Sequence, residues 1–540
     1  MDFSYPWRFD GRRSAAMASN GMVATSQPLA ASAGLRVIED GGTAADAAVT
    51  TAAVLAVVEP HMTGIGGDAF ALVHADGDVE ALNASGGAPA AAAIDDYRER
   101  TDATTPEGVP AMPLAGGLPV TVPGALDGWQ RLLDRHGVTS LAEALEPAIG
   151  YAREGFPVSE AVAGQWAGAA ERVRESVAGA ETFLPGGTAP TPGDRFRNPA
   201  LAETFERVAD DGPAVLYGGE VGEAVVDAVA EHGGTLALSD LESYEAEWTE
   251  PIGTTYGGVE VLEHPPNGQG IVALEALNVA ECFGVPEAPT DPDRIHRLVE
   301  AVKVGFADGH AHVTDPARSD VPVERMLSKA YAAQRAGEIG REAGRYPAMA
   351  AGAGSDTVYL SVVDGEGTAV SLINSIYSGF GSGVVAGGFA LQNRGNSFSL
   401  DPDHANALEP GKRPYHTIIP AMLREDGEFR ASFGVMGGHM QPQGHVQVVT
   451  AMVDSGLNPQ AALDAPRFRW MDGQRVALET NRLPEETVAD LRERGHEVVE
   501  EDWSADRSDP FGGGQVVYRT ADGTLVGGSD PRRDGLAVGF

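Results

Sequence analysis

The chain has 540 residues, 43% of them hydrophobic and 69 of them glycine, a globular composition with enough length to bury a large core as one domain or several. Its formal charge of −40, from 78 acidic and 38 basic side chains, argues against nucleic acid as partner, because a phosphate backbone needs a basic face. Only Lys303, Lys329 and Lys412 are lysines; such a surface reads as a salt adaptation, since at molar salt the Debye length falls to about 3 Å and self-repulsion is screened.

Cys282 is the only cysteine, so no disulfide forms within the chain, which suits a reducing, cytoplasmic location. Arg12-Arg13 is followed by SAAMASNGMVATSQ, with no apolar stretch of the length an export signal needs. The most apolar run, Ala44 to Val58, carries Asp46 and ends at Glu59-Pro60. It falls short of the roughly 20 residues of a membrane span, and no membrane partner is expected.

In chain order, Gly21 to Thr25 predicts a short strand, and Gln27-Pro28 opens a helix to Glu39 that stops at Gly41-Gly42. Ala44 to Val58 predicts a second helix whose small side chains suit close packing. Gly64-Ile65-Gly66-Gly67-Asp68-Ala69 and Gly381 to Ala386 both fit a loose dinucleotide pattern. That pattern has mechanical meaning only between a strand and a helix; here a helix precedes Gly64 and the strand-like Ala69 to His74 follows, so a close backbone turn is expected. Thr139 to Glu154 and Arg294 to Gly309 have helical periodicity, and Gly257 to Leu262 predicts a strand. Asp308, His310, His312 and Asp315 form the best metal-like cluster, because two histidines one residue apart on a strand can share an ion; surface or structural histidines are the plainer alternative, and no metal is expected.

Ala351 to Ser355 is small and glycine-rich, and predicts a mobile approach. Thr357 then opens a β-branched, alternating strand that ends in the turn Asp364-Gly365-Glu366-Gly367, and a second strand runs from Thr368 to Asn374. A Thr at the head of a buried strand behind a loose linker is what an enzyme needs if it cuts its own chain between Asp356 and Thr357: the freed α-amino group, with a reference pKa of about 7.7 to 8, then serves as base for the hydroxyl on the same residue. A hairpin that merely begins with Thr is the alternative. Further on, Gly437-Gly438 lies between a strand ending near Val435 and a helix beginning near Gln443, where successive N–H groups face a developing oxyanion or simply make a turn.

Thr357 to Asp364 has the form T-x-x-x-S-V-V-D and resembles the start of the small subunit in the gamma-glutamyltransferase family of self-processing N-terminal nucleophile hydrolases. GMVATSQPLA, AGLRVIEDGGTAADAAV and VVEPHMTGIGGDAFALV resemble the opening of that family's large subunit. ALDAPRFRW and the closing GGSDPRRDGLAVGF extend the likeness to nearly the full length. The resemblance implies an α+β fold, a four-layer αββα sandwich, with residues 1–356 as large-subunit region, 357–540 as small-subunit region and one shared core. It implies Thr357 as nucleophile, Ser375 as the supporting hydroxyl, Gly437 and Gly438 as oxyanion glycines, no cofactor, and as partners a small amide or γ-glutamyl substrate and the two fragments of the precursor.

The departures concern the amino-acid clamp. Where the family holds the substrate's α-carboxylate with an Arg, alignment on Ala88-Pro89 puts Ser85. The family's Asn after the second hydroxyl is Tyr377, its Gln and Asp near the α-amino group are Arg394 and Ser397, and its Ser-Ser pair is His416-Thr417. LNASGGAP, INSIYSGFGSG, LQNRG and RPYHTIIPAM instead resemble the branch that contains oxamate amidohydrolase. The expectation is a gamma-glutamyltransferase-like amide hydrolase or acyl transferase that cleaves γ-glutamyl or related small amide bonds through an acyl-enzyme, with Arg394 and His416 as candidates to hold an anionic end of the substrate. The alternatives are an oxamate-type amidohydrolase or other acylase without γ-glutamyl activity, a metal-dependent hydrolase built on His310 and His312, and a non-enzymatic acidic binding protein.

Overall fold

The computed structural model describes residues 13–106, 108–346, 356–501 and 510–540, and of Asp356 the backbone alone. The expected mobile approach at Ala351 to Ser355 lies outside the described residues.

Local chemistry sets the first two helices. The Gln27 side chain accepts from the N–H of Leu29 (2.6 Å) and of Ala30, and Pro28 occupies the first turn of Pro28–Glu39, where its missing N–H costs nothing. Thr43 and Asp46 form a capping box for Ala44–Val58, every residue of which is buried. Gly34 lets the two helices touch, since a Cβ there would lie 2.1 Å from the Thr51 hydroxyl.

Two seven-stranded sheets carry the core. One runs in the order Ala16–Ala18, Leu525–Ser529, Gly513–Arg519, Glu428–Met436, Ala421–Glu425, Val259–Glu263, Ile252–Tyr256. The other runs Leu536–Gly539, Met22–Thr25, Asp356–Val363, Ala369–Tyr377, Asp68–Ala75, Asp78–Ala84, Glu247–Thr249. They stack face to face, with Pro28–Glu39 and Ala44–Val58 on the outer side of the second and Gly270–Glu281, Met440–Val453 and Pro459–Asp464 on the outer side of the first. This is the expected αββα sandwich. Strands from both sides of Thr357 interleave in each sheet, so neither segment completes a sheet without the other.

Strand Asp356–Val363 sits inside its sheet, between Met22–Thr25 and Ala369–Tyr377. Tyr359 pins it to both its neighbour and the opposite sheet: its hydroxyl meets Ser371 of the adjacent strand (2.8 Å) and Ser432 of the other sheet (3.2 Å), and its ring lies over Gly434 of that sheet, where a Cβ would come within 2.5 Å. The strand that begins at Thr357 is thus fixed in register and in depth. No described helix is long and apolar enough to cross a membrane.

Candidate active site

Thr357 is fully buried, and its hydroxyl lies 3.0 Å from that of Ser375 on the neighbouring strand. The register slips between Asp356 and Val358, a bulge that re-aims the intervening side chain. Ser375 Oγ also accepts from the Tyr377 N–H at 2.9 Å. Beside it, Asn374 accepts from Trp129 Nε1 (3.1 Å) and donates to the Asp68 carbonyl (2.9 Å). The Gly64–Gly67 segment is the close turn its sequence suggests: a Cβ on Gly67 would lie 2.2 Å from the Ser375 carbonyl.

Gly437 and Gly438 follow strand Glu428–Met436 with φ of 117° and 60° and lead into helix Met440–Val453, three residues earlier than the sequence suggests. The Gly437 carbonyl accepts from Met440 N–H at 3.0 Å. Because C=O and N–H of one trans peptide point in opposite directions, the Gly438 N–H faces away from the helix. Gln269 ties this turn to the site, its Nε2 donating to the carbonyls of Gly438 (2.9 Å) and Thr417 (2.6 Å).

Arg394 reaches the same place from the short helical turn Arg394–Ser397. Its side chain is completely buried, one terminal nitrogen donates to Thr417 Oγ1 at 2.7 Å, and the guanidinium stacks 4.4 Å above the Tyr377 ring. Its Nε and other terminal nitrogen have no hydrogen-bond partner among the described residues. Tyr377 has φ of +78°, a left-handed conformation that a bulky residue adopts only when its surroundings impose it.

Asp68 is the buried counter-charge. It is the cross-strand partner of Ser375, and its Oδ2 lies 4.0 Å from Arg394 Nε. It accepts from His416 Nε2 (2.9 Å), Gln392 Nε2 (2.9 Å) and Gly86 N–H (3.3 Å). Burial pushes its carboxyl up to about 7, against the smaller pull of Arg394 and Gln392. Burial, with the Arg394 charge, lowers His416 well below the usual range and keeps it neutral. The Ile418 N–H points at His416 Nδ1, so the ring proton sits on Nε2 and is donated to Asp68. Both ring nitrogens of His416 are therefore occupied. Burial lowers Arg394 only to about 10, so it remains a cation at neutral pH.

The other expected positions are mixed. Ser85 is buried and gives its hydroxyl to Asn83 (2.7 Å), next to the Gly86 that binds Asp68. Ser397 meets Asn406 through its carbonyl (2.6 Å), and no described contact joins it directly to Thr357, Ser375 or Arg394. His310 and His312 need correction: they lie in the last turn of helix Pro292–His312, not on a strand. Side chains two apart on a helix diverge by about 200°, and His310 packs its ring against Phe306, Tyr415 and His439. The group with ligand atoms close together among the described residues is His296, Glu300 and His496, where Lys303 Nζ already holds Glu300 at 2.7 Å. Sequence reasoning missed Asp68, Gln269 and Gln392. The signal for Asp68 was a carboxylate opening an otherwise apolar strand.

A family model described as gamma-glutamyltranspeptidase matches residues 30–540. The chain is 39% identical over 534 residues to the glutathione hydrolase-like YwrD proenzyme of Bacillus subtilis, covering 96% of this chain and 98% of that protein. It is 37% identical over 539 residues to the oxamate amidohydrolase proenzyme of Klebsiella pneumoniae, covering 97% and 99%. Among solved structures it superposes on the cephalosporin acylase of Bacillus halodurans with a TM-score of 0.92 at 44% identity, covering 99% of this chain and 98% of the other. With the four-layer fold, these matches show that the chain belongs to the gamma-glutamyltranspeptidase family and is an amide-cleaving enzyme of the N-terminal nucleophile class.

Proposed function

We propose that the chain cleaves itself between Asp356 and Thr357 and then hydrolyses short amides that carry a carboxylate. The observation that carries this reading is the buried Thr357 hydroxyl, 3.0 Å from Ser375, at the head of a strand held by both sheets. In processing, the Thr357 hydroxyl attacks the Asp356 carbonyl, the peptide bond gives way to an ester, and water releases the two fragments 1–356 and 357–540. In catalysis, Thr357 Oγ attacks the substrate's amide carbon while its proton passes to the free α-amino group and on to the leaving amine. Ser375 orients the attacking oxygen, and the Gly437 and Gly438 N–H groups receive the oxyanion, each donor contributing about 2.7 to 4 kcal/mol in other enzymes. Water, or an amine acceptor, then attacks the acyl ester, the acid or new amide leaves, and the hydroxyl is restored.

The substrate end rests on Arg394, whose unpartnered N–H groups suit a planar carboxylate. Relatives named for glutathione hydrolysis and for oxamate hydrolysis are both near. Ser85 replaces the clamp Arg, and Ser397 the clamp Asp, that the resemblance assigns to γ-glutamyl binding. Two lost charge-assisted bonds cost roughly 3 to 6 kcal/mol, about 10² to 10⁴ in kcat/KM. Tyr377 and Thr417 line the same end and His416 braces it. The charge of −40 and the single cysteine support a cytoplasmic protein of a high-salt interior. The test is kcat/KM at molar salt for oxamate and for a γ-glutamyl anilide, repeated with Arg394→Ala. Oxamate is expected to be the better substrate and to lose that advantage in the variant; efficient γ-glutamyl turnover indifferent to Arg394 contradicts the proposal.

A further inference from the structure

We infer that Asp68 is a positioning residue and an internal counter-ion, which balances Arg394 in the empty site and takes up a proton when a substrate carboxylate replaces it as the partner of the guanidinium. The inference rests on the carboxylate-binding reading of Arg394 and adds to it the group that sets its pH dependence.

Three features of the geometry carry it. Asp68 and Arg394 are both completely buried and 4.0 Å apart, close enough to neutralise each other but not hydrogen-bonded. Asp68 lies directly across from Ser375 in the sheet, and Ser375 in turn meets the Thr357 hydroxyl at 3.0 Å, so Asp68 stands one residue from the proposed nucleophile. Its oxygens are already held by His416, Gln392 and Gly86, so it stays in place whether or not Arg394 turns toward a ligand. Bringing a second carboxylate to one buried guanidinium leaves an unmatched negative charge, which is expensive where both side chains are removed from solvent. Protonating Asp68 removes it. Its pKa near neutrality makes that proton available under ordinary conditions.

The other groups facing Asp68 do not supply this proton. His416 is neutral with both nitrogens engaged. His264, behind it, is lowered to about 3 by burial. Tyr217 and Tyr244, which feel the Asp68 charge, are raised well above their usual range by burial. A free α-amino group has a reference pKa of about 7.7 to 8, but that of processed Thr357 acts on every amide substrate alike.

That last point defines the measurement. The ratio of kcat/KM for oxamate to kcat/KM for acetamide cancels the amine and isolates the carboxylate. In the wild-type enzyme this ratio is expected to fall about tenfold between pH 6 and pH 9, since one unit of coupling between two charges is tenfold. In Asp68→Asn, which keeps the shape without the charge, it is expected to stay flat and high. Calorimetry of lactate binding to the wild type, in two buffers of different ionisation enthalpy, is expected to show proton uptake near pH 7 and guards against a variant that does not fold. A ratio that keeps its slope in Asp68→Asn, or lactate binding without proton uptake, overturns the role of Asp68 and leaves the reading of Arg394 standing. An oxamate preference untouched by Arg394→Ala overturns both.

Discussion

Arg394 and Arg532 have side chains of equal burial, both completely removed from solvent, and opposite degrees of satisfaction. Arg532 donates to Glu479 Oε1 (2.8 Å) and Oε2 (2.5 Å), to Asp530 Oδ1 (3.1 Å) and to the carbonyls of Leu463 and Ala465 (3.0 Å each). Arg394 makes one short hydrogen bond, to Thr417, and leaves two nitrogens unpartnered among the described residues. The carboxylates record the difference. Burial tends to raise Glu479 and Asp530, but Arg532 pulls both down, with Arg482 on Glu479 and Arg467 on Asp530, and holds them below the usual range. Asp68 stands at about 7. A saturated buried arginine holds the framework together, whereas an unsaturated one leaves donors free, which is why Arg394 is proposed to take a substrate carboxylate.

The largest expected effect follows from removing the saturated one. Arg532→Ala leaves Glu479 with Arg482 and Asp530 with Arg467 but removes the two-pronged partner of buried Glu479, and is expected to cost about 3 to 5 kcal/mol of stability, read as a lowered denaturant midpoint or as failure to accumulate folded protein. Arg394→Ala strands only Asp68, which relieves itself by taking a proton. Its stability is expected to stay near wild type while kcat/KM for oxamate falls about 10- to 100-fold. A variant that unfolds as readily as Arg532→Ala would erase the distinction.

Titration sharpens the same contrast. Glu479 and Asp530 have depressed pKa values in the fold, so their contribution is present above the unfolded carboxylate range of about 4 and is lost as pH falls through their folded values. Asp68 is raised, so its contribution is present below about pH 4 and is lost as pH rises through about 7. Melting temperature against pH is expected to fall on the acid side in the wild type and to hold better toward alkaline pH in Asp68→Asn; identical profiles for the two proteins would contradict the assignment of Asp68. Salt is expected to act on the surface and on both buried sites least. With −40 spread over the chain, the melting temperature is expected to rise from dilute to molar KCl as the Debye length shrinks from about 30 to 3 Å, whereas the difference between wild type and Arg532→Ala is expected to persist at both.

Much of this arrangement was legible in the sequence where the cause is local. Gln27-Pro28 marked a helix start, the Ala44–Val58 run marked a buried helix, and the alternation after Thr357 marked the strand Asp356–Val363. The pairing of Asp68 with His416 and Arg394 spans more than 300 residues of sequence, and no periodicity reports a contact of that range. Asp68 therefore read as the end of a glycine turn, and His416 as a possible anion ligand. Gln269 was invisible for the same reason: its value lies in joining the carbonyls of Thr417 and Gly438, which only the fold brings together. His310 and His312 were misplaced because their one-residue spacing suggested a strand, although the helical period of the preceding residues continues through them.

The central claim is that Thr357 becomes an N-terminal nucleophile. A denaturing gel with N-terminal sequencing of the purified wild type and of Thr357→Ala tests it most directly. The account predicts two fragments in the wild type, the smaller beginning at Thr357, and one inactive full-length chain in the variant. A smaller fragment that begins elsewhere, or a Thr357→Ala protein that still processes and turns over amides, would contradict it.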